Sequence, residues 1–111
     1  MAQTTFVQEG RQIEFTPAVA VAAGQVVVNG DLVGIALGPV AANVPGTLAV
    51  DGVFDFPKQS GATTAIALGT TLYWDSANQR ATATAAGNKL IGKCTRAAAD
   101  AATTVRIRLS Q

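Results

Sequence analysis

The sequence predicts an all-β fold: a small single-domain sandwich or barrel with at most one short helix. Three observations carry that reading. Apolar residues recur at every second position in short segments, the pattern of half-buried strands. Gly, Pro, Asn and Asp punctuate those segments at turn spacing. Hydrophobic residues make up 49% of the 111 residues but aromatics only 5%. The core is therefore built from Val, Ile, Leu and Ala around a few rings, as small sandwiches and barrels allow.

Taken in order, residues 1–8 read as a flexible arm and residues 9–111 as one β domain. Gln12–Phe15 alternates, with Ile13 and Phe15 on one face, and Pro17 ends the strand or leaves it at an edge. The clearest hairpin is Gln25–Val28, a turn at Asn29-Gly30-Asp31, and Leu32–Leu37, because Asn-Gly tolerates the positive φ of a tight primed turn. Gly38-Pro39 closes it and residues 41–46 form a loop. From Thr47 to Phe56 one long strand is expected, with Leu48, Val50, Gly52, Phe54 and Phe56 on one face and Ala49, Asp51, Val53 and Asp55 on the other. Residues 58–63 are a polar loop, and residues 62–68 are the place for a short helical turn.

The stretch Gly69–Gly92 holds the only Tyr and the only Trp. It reads as an apolar strand, a polar turn at Asp75–Asn78, a Thr/Ala strand to Ala85, and a second turn at Gly87-Asn88. Adjacent strand residues face opposite sides, so only one of Tyr73 and Trp74 joins the core, and spacing does not say which. Residues 97–102 are Ala-rich, but a short uncapped segment with Asp100 inside it reads as loop. The final strand, Thr104–Leu109, sets Val105, Ile107 and Leu109 against Arg106 and Arg108.

Composition excludes several function classes. Eight Lys and Arg against seven Asp and Glu give a net charge of +1 with no basic stripe, which argues against a nucleic-acid surface. The most apolar run, residues 17–23, stops at Gly24-Gln25, short of the ~18 residues of a membrane span. The N-terminus shows no basic start and apolar run of a secretory signal, so synthesis in a cytoplasm is expected. With no histidine, Ser-His-Asp and Cys-His catalysis and histidine metal sites have no basis. A single cysteine, Cys94, allows neither an intrachain disulfide nor a CxxC site and reads as a small buried hydrophobe.

Two motifs imitate chemistry. Gly87–Cys94 spells GxxxxGK followed by Cys, where a phosphate-binding loop needs a Ser or Thr hydroxyl for magnesium. Leu90-Ile91 inside it reads as strand, and no following helix supplies amides for phosphates. Asp51 and Asp55 share a face of the expected strand, but four residues at ~3.3 Å rise separate them by about 13 Å, too far to share an ion. They read as solvated or ion-paired surface carboxylates. No catalytic, cofactor or metal residue and no small-molecule substrate is expected.

An ordered set of segments now resembles a known family. Phe6-Val7-Gln8-Glu9-Gly10, Gly30-Asp31-Leu32-Val33-Gly34-Ile35-Ala36, Gly52-Val53-Phe54 with Pro57-Lys58, Leu72–Asp75, Asn88–Gly92 and Val105–Leu109 together resemble the capsid cement, or head decoration, proteins of tailed bacteriophages and prophages. The resemblance implies a non-enzymatic virion protein on the outside of the head. It would bind the major capsid protein at capsomer junctions, commonly as a homotrimer, and stabilise the shell after synthesis in the host cytoplasm. Thr4, Thr5, Phe6, Val7 and Gln8 are the candidate partner-binding residues, because an arm can add main-chain hydrogen bonds at an exposed strand edge. The alternatives are another virion subunit, of tail or connector, and a nucleotide-binding protein using Gly87–Cys94.

Overall fold

Period-two segments pair where turns let them double back, and in this protein they do so in two separate sheets. The computed structural model describes residues 11–110. Among the described residues lie nine strands: β1 (Gln12–Phe15), β2 (Val26–Asn29), β3 (Leu32–Ala36), β4 (Gly46–Ala49), β5 (Gly52–Pro57), β6 (Thr71–Asp75), β7 (Arg80–Thr82), β8 (Lys89–Arg96) and β9 (Thr104–Leu109). They form a four-stranded sheet, β1-β4-β3-β2, and a five-stranded sheet, β5-β9-β8-β6-β7, antiparallel throughout. The all-β expectation holds.

The β2–β3 hairpin forms with Asn29 opposite Leu32, so Gly30 and Asp31 are the two turn residues and Gly30 takes φ 64°. That is the tight turn read from Asn-Gly, shifted by one residue. The second turn of the Gly69–Gly92 stretch also falls as expected, with Gly87 at φ 75°. Asp75 organises the first: its carboxylate accepts hydrogen bonds from the amides of Ala77 and Asn78 and from the Asn78 side chain. These bonds, that from the Asn78 side chain foremost, hold its pKa below the ordinary carboxylate value.

Three expectations need correction. The single strand over 47–56 is two strands in different sheets: β4 ends at Ala49, the chain turns through Val50-Asp51, and Gly52, at φ 116°, opens β5 opposite Leu109 of β9. Only glycine adopts that angle without strain. Both Leu48 and Ala49 are buried, because β4 has a core on each face and alternation there carries no in-versus-out meaning. Residues 62–68 form no helix. The Asp100 carboxylate instead accepts from the Thr64 and Ala65 amides, and Ile66 bridges to Ala98. The Thr/Ala strand ends at Thr82 rather than Ala85.

The five-stranded sheet curls until its ends nearly meet, with a bridge between Lys58, just past β5, and Ala81 on β7. Two irregularities in β8 provide the curvature: Ile91 is the extra residue opposite Leu72 and Tyr73, and Thr95 the extra one opposite Arg106 and Ile107. The first bulge turns both Ile91 and Cys94 inward, and it requires Gly92, where any Cβ would collide with the Arg108 carbonyl oxygen. Inside lie Phe56 and Trp74, with ring centroids 6.1 Å apart at 59°, plus Leu72, Ile107 and Leu109. Trp74 is thus the core ring and Tyr73, half-buried, faces out. Ile35 and Ala49, paired across β3 and β4, close this core from the four-stranded sheet.

Lys58 is the one buried charged side chain among the described residues. Its ammonium donates to the Gln59 and Ala102 carbonyls and to Thr64 Oγ1, at 2.8, 3.3 and 3.2 Å. All three donors are used, so burial leaves no hydrogen bond unmade. The side chain ties the end of β5 to the loops that cover the barrel mouth.

Candidate docking surface

The second face of the four-stranded sheet is covered differently. Phe15, Leu48 and Val40 form a small second core there, joined by Ile13, Val21, Val27 and Val50. Its roof is not a sheet but two loops, residues 16–25 and 37–45. Antiparallel hydrogen bonds between Val21 and Val40, at 2.9 and 3.0 Å, knit the loops together. Asn43, at φ 62°, donates its amide to the Pro17 carbonyl at 2.7 Å, and the Ala22 amide donates to Gln25 Oε1. Because these backbone groups are already paired, the loops present a fixed shape to anything that meets them.

That shape is apolar and almost without charge. Val19, Leu37 and Val44 are 76%, 46% and 47% exposed, and Pro39, Pro45 and Leu37 border a shallow depression with Val44. Residues 16–50 contain one charged side chain, Asp31, whereas residues 51–110 contain eleven. Asp31 lies away from the loop roof, in the β2–β3 turn, where it meets Lys89 of β8 at 2.7 Å and links the two sheets. That hydrogen bond, reinforced by the lysine charge, lowers the Asp31 pKa. Depletion of charge with exposed large apolar groups is the composition of an interface core.

Sequence reasoning missed this surface. The apolar run of residues 17–23 alone points to no surface, but the near absence of charge across residues 16–50, with Asp31 the single exception, is visible in the sequence and marks the region. The predicted arm residues Thr4, Thr5, Phe6, Val7 and Gln8 lie outside the described residues. The strand nearest to them in the chain, β1, is an edge strand of the four-stranded sheet.

The motifs that imitate chemistry resolve into scaffold. Gly92-Lys93-Cys94 lies within β8, with Lys93 opposite Arg108, so the phosphate-loop spelling is strand and not a loop before a helix. Cys94 is buried and its thiol donates to the Arg96 carbonyl. Asp55 forms a two-pronged ion pair with Arg106, Nε to Oδ1 at 3.0 Å and Nη2 to Oδ2 at 3.3 Å. The pair lowers the Asp55 pKa and raises that of Arg106. Asp51 sits at the crossover between sheets, so the two carboxylates do not share a strand. Among the described residues, no three His, Cys, Asp or Glu side chains converge as a metal site would need, and no helix is long and apolar enough to cross a membrane.

The matched span is nearly the whole chain: residues 7–109 fit the family described as phage cement protein. No curated protein and no solved structure matches the chain. A match of that extent agrees with the resemblance carried by the segments from Phe6 to Leu109, and the chain belongs to the phage cement protein family.

Proposed function

We propose that this protein binds the outer surface of a phage head at junctions between capsomers and stabilises the shell, with the loop roof over the second core as its docking surface. The carrying observation is the hydrogen-bonded, nearly uncharged layer that exposes Val19, Leu37 and Val44, in a member of the cement family. A cement protein adds binding free energy across seams without chemistry, and a pre-shaped apolar surface supplies it with little ordering cost. Its partner is the major capsid protein, its form on the shell a homotrimer, and its place the virion surface after synthesis in the host cytoplasm. Thr4–Gln8 add main-chain hydrogen bonds at a strand edge of the shell or of a neighbouring copy.

Heads assembled with and without the protein test this. Density on the outside of the shell at capsomer junctions is expected, and density in the tail or connector would contradict it. A Leu37→Asp/Val44→Asp variant should melt close to wild type, since exposed substitutions cost within about 0.5 kcal/mol each. Its occupancy on heads should fall more than about tenfold, the cost of burying two carboxylates without partners. Deleting residues 2–8 should weaken binding and leave the fold intact.

A further inference from the structure

The outward face of the five-stranded sheet contrasts with the loop roof in carrying a surplus of positive charge. Arg108 of β9 lies directly opposite Lys93 of β8, with Val53 and Thr71 completing the row across four strands. In the next row Arg106 lies opposite Arg96 and is held by Asp55. These two rows thus hold four cations and one carboxylate, and further along the same face Asp75 of β6 lies opposite Arg80 of β7, so the face keeps a surplus of three positive charges. Arg96 acts on Asp55 only through its charge, and among the described residues no carboxylate forms an ion pair with Lys93 or Arg108. Like charges directly opposite each other across strands are destabilising.

The surroundings are those of a contact surface. Leu90, 37% exposed, and half-buried Tyr73 form the neighbouring row, and Val53 is 55% exposed. A shallow groove runs between Leu90 and the Lys93–Arg108 pair, floored by Gly92 at the β8 bulge. Cationic side chains flanked by an aromatic and aliphatic groups are the composition of interface hot spots.

We infer that this face is a second contact surface, centred on Lys93 and Arg108, that takes an acidic, extended polypeptide segment of a neighbouring shell subunit. The inference rests on the cement reading for the identity of the partner and on charge complementarity for its chemistry. Along an extended segment, side chains on one face repeat every ~7 Å, so carboxylates at alternate positions meet the cationic rows in register. Their arrival turns the Lys93–Arg108 repulsion into two charge-assisted contacts.

A Lys93→Gln/Arg108→Gln variant separates this from a structural role. Its melting temperature should equal or exceed that of wild type, because a repulsion is removed. In free solution at 50 mM NaCl, a decapeptide with Glu at alternate positions should bind the wild-type chain at least about tenfold tighter than the variant. The gap should shrink to below about twofold at 500 mM, where the screening length is a few ångströms. On heads, the variant should lose occupancy most at low salt. Equal peptide binding by the two proteins overturns the inference, as does preference for duplex DNA over the peptide. A salt-sensitive oligomer that dissolves in the variant overturns it too, by assigning the face to a second copy. If wild type fails to bind heads while the peptide difference stands, the cement docking model fails and the acidic-segment face survives.

Discussion

The two sheets solve the same packing problem with unequal resources. The five-stranded sheet curls into a near-closed barrel around Phe56, Trp74 and the aliphatic residues of β8 and β9, with fully buried side chains throughout. The four-stranded sheet is sandwiched: one face closes that barrel through Ile35 and Ala49, and the other supports a small cluster under two loops. The first region holds the larger core, and the second holds the less charged surface. The least charged residues sit where packing demands least, because loops over a minor core tolerate exposed Val and Leu without risking the major one.

Substitutions at glycine probe the contrast most strongly. Gly92→Ala forces a Cβ onto the Arg108 carbonyl oxygen at a barrel bulge, where backbone must move. It should cost about 4 kcal/mol or more, a large share of the stability of a domain this size. Gly46→Ala meets only the Val40 side chain over the minor core and should cost about 1–2 kcal/mol. Equal losses in chemical denaturation would remove the distinction between the two regions.

Large-to-small substitutions come next. Trp74→Ala opens the centre of the barrel and should cost about 3–5 kcal/mol. Phe15→Ala, in the smaller core and less completely buried than Trp74, should cost about 3 kcal/mol, the low end of that range. The order matters more than either value, and a reversed order in urea melts would make the four-stranded sheet the true scaffold.

How much of this was legible in the sequence depends on whether a strand had one buried face or two. Val105, Ile107 and Leu109 alternate with Arg106 and Arg108, and β9 was read residue by residue, as was the β2–β3 hairpin from its Asn-Gly. The 47–56 segment was misread as one strand because Leu48 and Ala49 serve different cores, and period-two logic assumes a single core. Gly52 was the available signal for the break. Barrel closure at Lys58 and Ala81 depends on bulges at Ile91 and Thr95, which leave no local pattern beyond a glycine. Nor does a lysine announce burial: Lys58 becomes internal only because Gln59, Thr64 and Ala102 converge on its ammonium. For the docking surface, charge depletion was present in the sequence, while the hydrogen bonds that join residues 17–22 to 40–43 are long-range and visible only in three dimensions.

The smallest effect concerns the link between the sheets. Asp31 has its pKa lowered from 3.8 by Lys89, so its contribution is present above pH 3.8 and is lost as pH falls through the lower folded value. Asp31→Asn should lower the melting temperature slightly at pH 7, and wild type and variant should converge once the pH falls below the lowered folded-state pKa of Asp31. A difference that persists in acid would mean the turn, and not the ion pair, is responsible.

The central claim is that the uncharged loop roof faces the shell and makes the main contact with it. A cryo-electron microscopy map of decorated heads, at a resolution that traces the chain, tests it most directly. Residues 17–22 and 37–45 should lie against the major capsid protein with Val19, Leu37 and Val44 buried in the contact. A map in which those loops point to solvent while only the barrel touches the shell would contradict the account.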